Sequence, residues 1–142
     1  MKKTITFLAI FLFTTSAFCQ SVSVSKILNF LKDQNLTTIG ADLQKVGFAF
    51  KGKSEFDGFT EFAYQKKGNS GLEQININYN DELFSIVYKT STEAFSAYKA
   101  KLLTNDFQYA YSYKNSSFYE SENMRIGINE NSSIISLFVK VK

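Results

Sequence analysis

The spacing of apolar residues along this chain switches from about 3.6 to two and back again, and that switching constrains the fold more than any other feature. From Ser21 to Gln34, Val24, Ile27, Leu28 and Leu31 recur at helical intervals. Thr38 to Val46 predicts a second, shorter helix, with Thr38 as N-cap, Ile39, Leu43 and Val46 on one face, and Gly47 just past its end. The period then becomes two. Phe48-Ala49-Phe50, Phe59 to Gln65, Leu72 to Tyr79 and Leu83 to Lys89 predict four strands, with turns at Gly68–Gly71 and Asn80–Glu82. Thr90 to Glu93 matches a capping box and opens a third helix, whose stripe is Phe95, Tyr98 and Leu102 and which stops near Asn105-Asp106. Four more extended segments follow: Phe107 to Lys114, Ser117 to Ser121, Met124 to Asn129, and Ile134 to Val141.

The order helix, then four strands, thus occurs twice, and residues support a duplication with repeat units 36–90 and 91–142. At an offset of 51, Ile75, Ile77, Asn78, Asn80, Ser85 and Lys89 fall on Ile126, Ile128, Asn129, Asn131, Ser136 and Lys140 without a gap. Upstream the offset is 59, which puts Leu43, Phe48 and Phe50 over Leu102, Phe107 and Tyr109. One helix cannot cover a four-stranded sheet, so two copies are expected to merge. The expected class is α+β: tandem α-β-β-β-β repeats forming an antiparallel sheet, with helices packed on one face. Phe84, Ile86, Tyr88, Ile135, Leu137 and Val139 are the expected core-facing positions.

The N-terminus predicts export. Lys2 and Lys3 precede an apolar run from Ile5 to Phe13, and small or polar residues follow from Thr14 to Ala17. The run is too short to span a bilayer, which takes roughly 20 residues, and reads as a cleavable signal over residues 1–19. Cleavage after Cys19 or after Ala17 fits the small residues there. A lipid anchor on Cys19 is disfavoured, because the bulky Phe18 stands where lipidation needs a small residue. Residues 20–142 then form a single secreted or periplasmic domain without a transmembrane span, of a size that buries a real core.

Charge and composition remove several functions. Of 16 basic and 13 acidic residues, Lys2 and Lys3 leave with the signal, so 14 face 13 and the mature net charge is +1. That gives no field for nucleic acid. The chain has no histidine, no tryptophan and no proline, and its one cysteine is Cys19. The usual neutral-pH base and the strongest soft nucleophile are therefore missing from the mature domain. No catalytic residue, cofactor site or metal site is expected. Glu120 and Glu122, two apart in a predicted strand, read as solvated edge charges rather than an acid–base pair. Asn78, Asn80, Asp81 and Glu82 lack the spacing of a calcium loop.

The most unusual segment is Phe107-Gln-Tyr-Ala-Tyr-Ser-Tyr113. Alternation puts Phe107, Tyr109, Tyr111 and Tyr113 on one face. Phe107 and Tyr109 are expected under the helices, and Tyr111 and Tyr113 form the candidate contact surface. In element order and export the chain resembles the tandem repeats of secreted β-lactamase inhibitor proteins and small periplasmic PepSY-like domains. That resemblance implies an inhibitor- or immunity-type role and carries over no residue. The expected function is a non-catalytic binding module for another envelope or extracellular protein. The alternatives are a small-ligand or lipid carrier, which needs an apolar cavity, and an enzyme using Glu61, Glu73, Glu120 or Glu122.

Overall fold

The computed structural model describes residues 22–68 and 71–141. The expected signal segment, both candidate cleavage positions and Cys19 lie outside the described residues. Three helices, α1 (Val24–Asp33), α2 (Leu36–Lys45) and α3 (Thr92–Leu102), accompany eight strands. The strands are β1 (Ala49–Phe56), β2 (Phe59–Gly68), β3 (Gly71–Tyr79), β4 (Leu83–Lys89), β5 (Gln108–Tyr113), β6 (Ser116–Glu120), β7 (Arg125–Asn129) and β8 (Ile134–Lys140). The protein is α+β with one antiparallel sheet, in the order β1-β2-β3-β4-β8-β7-β6-β5. Two four-stranded meanders meet through their last strands, so β4 pairs with β8 and Ile86 lies opposite Leu137. Among the described residues, no helix is long and apolar enough to cross a membrane.

Local chemistry sets the helix ends. Ser23 caps α1, its hydroxyl accepting from Lys26 N, and Gln34 closes it in a left-handed conformation. Asn35, not Thr38, caps α2: its side chain accepts from Thr38 N at 3.0 Å. The helix therefore starts earlier than its apolar face suggested. Ser91, not Thr90, caps α3 and accepts from Ala94 N. Thr90 is consumed by the sheet end, where its N–H donates to Ser133 O. Gly47 follows α2 with φ +92°, a value that other residues adopt only under strain.

Buried side chains alternate along the central strands. Ile75 and Ile77 of β3, Phe84, Ile86 and Tyr88 of β4, Ile126 and Ile128 of β7, and Ile135 and Leu137 of β8 are all buried, with Val139 packed against them. Ile27, Phe30 and Leu31 of α1, Ile39 and Leu43 of α2, and Phe95, Tyr98 and Leu102 of α3 belong to the same cluster. The side of the sheet carrying these residues is the core face. On the outer face, Gln74, Asn76, Asn78, Val87, Ser136 and Phe138 remain half-buried. Gln34 ties α1 to the sheet, its Nε2 donating to Lys140 O at 3.0 Å.

Two departures from regular pairing matter. Register shifts in β1 between Phe50 and Gly52, against β2. It shifts again in β5 between Tyr109 and Tyr111, against β6. Both are β-bulges, in which an extra residue turns the following side chains to the opposite face. The bulged residues, Lys51 and Ala110, are 59 apart. The second departure is in the turns. The turns are equally tight, Asn80 N donating to Leu83 O and Ser133 N to Glu130 O, but the second is set one residue earlier than the offset of 51 puts it, with Asn129 paired to Ile134. The gapless overlay at offset 51 therefore slips by two residues between β7 and β8. An even slip leaves every side chain on its own face, so the core positions still match.

Candidate functional site

The bulge at Ala110 corrects the one-face reading of the tyrosine strand. Tyr109 pairs with Tyr119 on the core face, while Tyr111 pairs with Phe118 and Tyr113 with Ser116 on the outer face. Tyr109 was expected beneath the helices, but it is 59 % exposed. Its ring meets Tyr119 edge-on at 5.9 Å, on the strand at the edge of the sheet. Phe107 is half-buried and packs against the core, as expected. Tyr111 and Tyr113 are exposed.

Those two tyrosines belong to a larger surface. Tyr111 stacks on Phe118, ring centroids 4.8 Å apart and planes 16° from parallel. Phe118 in turn approaches Phe138 of β8 at 6.5 Å. The ring of Phe118 lies over Gly127, where an added Cβ would stand 2.8 Å from the Phe118 ring. Glycine at that position leaves the space that the ring occupies. Arg125 holds its guanidinium 5.8 Å above Tyr111, and its Nη2 pairs with Glu120 at 2.6 Å. Lys114 sits over the Tyr113 ring at 5.3 Å. The patch thus offers flat aromatic area with one guanidinium and one carboxylate at its margin. From β5 to β8 it crosses three strand spacings, about 14 Å.

The same register row continues into the first meander, where it changes character. Ser136 pairs with Val87, Val87 with Asn76, Asn76 with Ala63 and Ala63 with Gly52. Here amides replace rings: Asn76 Nδ2 donates to Glu61 Oε2 at 2.7 Å, and Gln74 Nε2 donates to Asn76 Oδ1 at 2.9 Å. Asn78 Oδ1 is buried without a hydrogen-bond partner among the described residues.

Of the four carboxylates singled out in the sequence, Glu120 and Glu122 share a cleft, while Glu61 and Glu73 lie apart from it on opposite faces of the sheet. Glu61 lies on the outer face, paired in register with Asn78. Glu73 is buried on the core face and accepts from the Tyr88 hydroxyl at 2.5 Å. Glu120 ends β6, which is an internal strand, and Glu122 lies beyond it in the turn to β7. The edge-strand reading of that pair is therefore corrected. Both line a cleft of about 890 Å³ between α1 and the sheet end, floored by Leu28, Leu31, Leu83, Met124, Phe138 and Val139. Among the described residues no acidic cluster could hold a metal ion.

The core contains one polar group of note around Glu73. Lys66 is its register partner on β2 and is buried, with Nζ 5.6 Å from the centre of the Phe48 ring. Burial, followed by the hydrogen bond to Glu73, pushes the Tyr88 hydroxyl far above the ordinary tyrosine range. Burial also pushes Tyr98 up to about 12. The hydroxyls of Tyr98 and Thr90 are buried beside that of Tyr88, and neither makes a well-formed hydrogen bond among the described residues. This cluster reads as a structural network because its members are sealed from solvent. Comparison with known proteins adds nothing to these assignments: no family model, curated protein or solved structure matches the chain.

Proposed function

We propose that this chain is an exported, non-catalytic binding module, which holds another envelope or extracellular protein against the aromatic half of its outer sheet face. The stacked pair Tyr111–Phe118, open to solvent beside Arg125, carries the reading. Tyrosine and arginine dominate the energetics of protein recognition because they bring large contact area and hydrogen-bonding tips at low rotamer cost. An inhibitor- or immunity-type role is the sharper form: a flat aromatic surface on a rigid sheet suits the rim of an enzyme's cleft. In this reading the chain is a tandem duplication whose helices occupy one face of the sheet. The bulges at Lys51 and Ala110 and the mirrored meanders support that origin.

A second reading rests on the cleft beside α1. At about 890 Å³ with a mostly aliphatic floor, it is within the size range of small-ligand sites. It would take an amphipathic ligand and make the protein a carrier.

The experiment is capture of envelope and secreted proteins by residues 20–142, followed by binding of the purified partner. Phe118→Ala and Tyr111→Ala/Tyr113→Ala are the comparison baits. A stoichiometric partner whose affinity falls at least about tenfold with either variant supports the module. A partner retained by both variants moves the contact elsewhere. Absence of any partner, together with a lipid co-purifying in the cleft, favours the carrier.

A further inference from the structure

We propose that the edge strand β5 pairs antiparallel with β5 of a second copy of this chain, joining two eight-stranded sheets into one. This goes beyond the binding reading and does not depend on it. The two sheet edges, β1 and β5, differ in their protection. Edge strands present unpaired backbone donors and acceptors, and charged side chains are a usual guard against unwanted pairing. β1 carries Lys51, Lys53 and Glu55, the last two in an ion pair of 3.5 Å. β5, Gln-Tyr-Ala-Tyr-Ser-Tyr, carries no charge, and all six of its residues are exposed. At its bulge β1 places Lys51, whereas β5 places Ala110. Tyr109 flanks the β5 edge on the core side, and Tyr111 and Tyr113 flank it on the outer side. An added strand would find aromatic neighbours on both faces.

The charges at the ends of β5 select the occupant. Asp106 precedes the strand and Lys114 follows it, and among the described residues neither is in an ion pair. Glu122 shares a recess with Asp106, so that end is acidic. An acidic start and a basic finish are self-complementary only when a strand meets its own copy antiparallel. Each Asp106 end then faces a Lys114 end, twice over by the two-fold axis. That axis stands perpendicular to the sheet and keeps outer face beside outer face, so the two Tyr111–Phe118 stacks adjoin. A six-residue strand pair buries less area than the ~1,200 Å² at which stable complexes begin. The dimer is therefore concentration-dependent.

Sedimentation velocity on residues 20–142 at low salt tests this. The expected result is a monomer–dimer equilibrium that weakens as salt is added. Asp106→Lys and Lys114→Asp each raise the dissociation constant about tenfold, and the double variant restores it. Ala110→Lys, which copies the guard on β1, abolishes the dimer. Amide exchange in the unmodified protein provides a measurement free of folding effects: protection over Gln108–Tyr113 rises with concentration. A monomer up to about 1 mM overturns the proposal. So does a dimer indifferent to Ala110→Lys, or charge variants whose combination fails to restore association. Partner capture through Phe118 is read separately, so either proposal can fail alone.

Discussion

Gly127 is the position where the outer surface and the stability of the sheet are coupled most directly, and Gly127→Ala should change sign with its neighbour. Its φ lies outside the left-handed region, so alanine suits the backbone and should stabilise the strand by about 0.5–1 kcal/mol through lost unfolded-state freedom. Against this, the new Cβ would stand 2.8 Å from Phe118 Cε1 and 3.3 Å from its Cδ1. Those atoms belong to a ring pinned between Tyr111 and the sheet, not to the loose end of a flexible chain. Forcing the ring aside costs about 1–3 kcal/mol in overpacking terms. The net effect in the otherwise unchanged protein is a loss of about 0–2.5 kcal/mol, the difference of those two ranges. In a Phe118→Ala background the clash is gone, and the same substitution should stabilise by about 0.5–1 kcal/mol. Urea titration of the four proteins gives the coupling energy, expected at about 1–3 kcal/mol. Equal effects of Gly127→Ala in both backgrounds would refute the claim that this glycine exists to seat the ring.

Two further predictions concern the core and the helix ends. Tyr98→Phe removes a buried hydroxyl whose contact with Tyr88 falls short of a well-formed hydrogen bond and should cost little, whereas Tyr88→Phe removes the donor to buried Glu73 and should cost about 1–3 kcal/mol. Both hydroxyls titrate higher in the fold than in the unfolded chain, so their contribution is complete below pH of about 10 and is lost as pH rises from there toward 12 and beyond. Thermal midpoints should therefore fall above pH of about 10 in the unmodified protein and less steeply in Tyr88→Phe/Tyr98→Phe; parallel curves would remove the tyrosines from the cause. At α2, Asn35→Ala should cost about 1 kcal/mol while Thr38→Ala costs little, because Asn35 Oδ1 makes the cap; the reverse order in chemical denaturation would restore Thr38 as the cap.

The legible and illegible parts of this fold separate by the kind of interaction involved. The buried positions Phe84, Ile86 and Tyr88 follow from large apolar residues at every second position of β4. Parity also puts Glu73 on the face of Ile75 and Ile77, a placement the sequence contained although its charge argued against burial. The α2 cap could not be decided locally, since Asn35 and Thr38 are both good caps. Leu36, packed against the core, adds the extra turn that makes Asn35 the cap. The bulge at Ala110 left no trace at all. Phe107 to Tyr113 keeps a perfect alternation, and only pairing against Tyr119 and Phe118 shows that one residue has been passed over. The Phe118–Gly127 contact was equally out of reach, because it depends on the register of β6 against β7.

That last contact shows how the two meanders have been used differently. Matched through their bulges, they agree on the core face: Phe50 and Tyr109 pair with Tyr64 and Tyr119, which pair with Ile75 and Ile126. On the outer face the matching row reads Gly52, Ala63, Asn76 in one meander and Tyr111, Phe118, Gly127 in the other. Of these, Tyr64, Ile75 and Ile126 are buried and held by close packing, where a change of one methylene is felt. Outer positions are free of that constraint, and here the two meanders differ: asparagine stands at the β3 position where β7 has glycine, and alanine at the β2 position where β6 has phenylalanine. A glycine under a ring weakens its own strand by about 0.5–1 kcal/mol relative to alanine. Such a cost is consistent with the proposal that the aromatic half of the outer face, rather than the amide half, makes the contact.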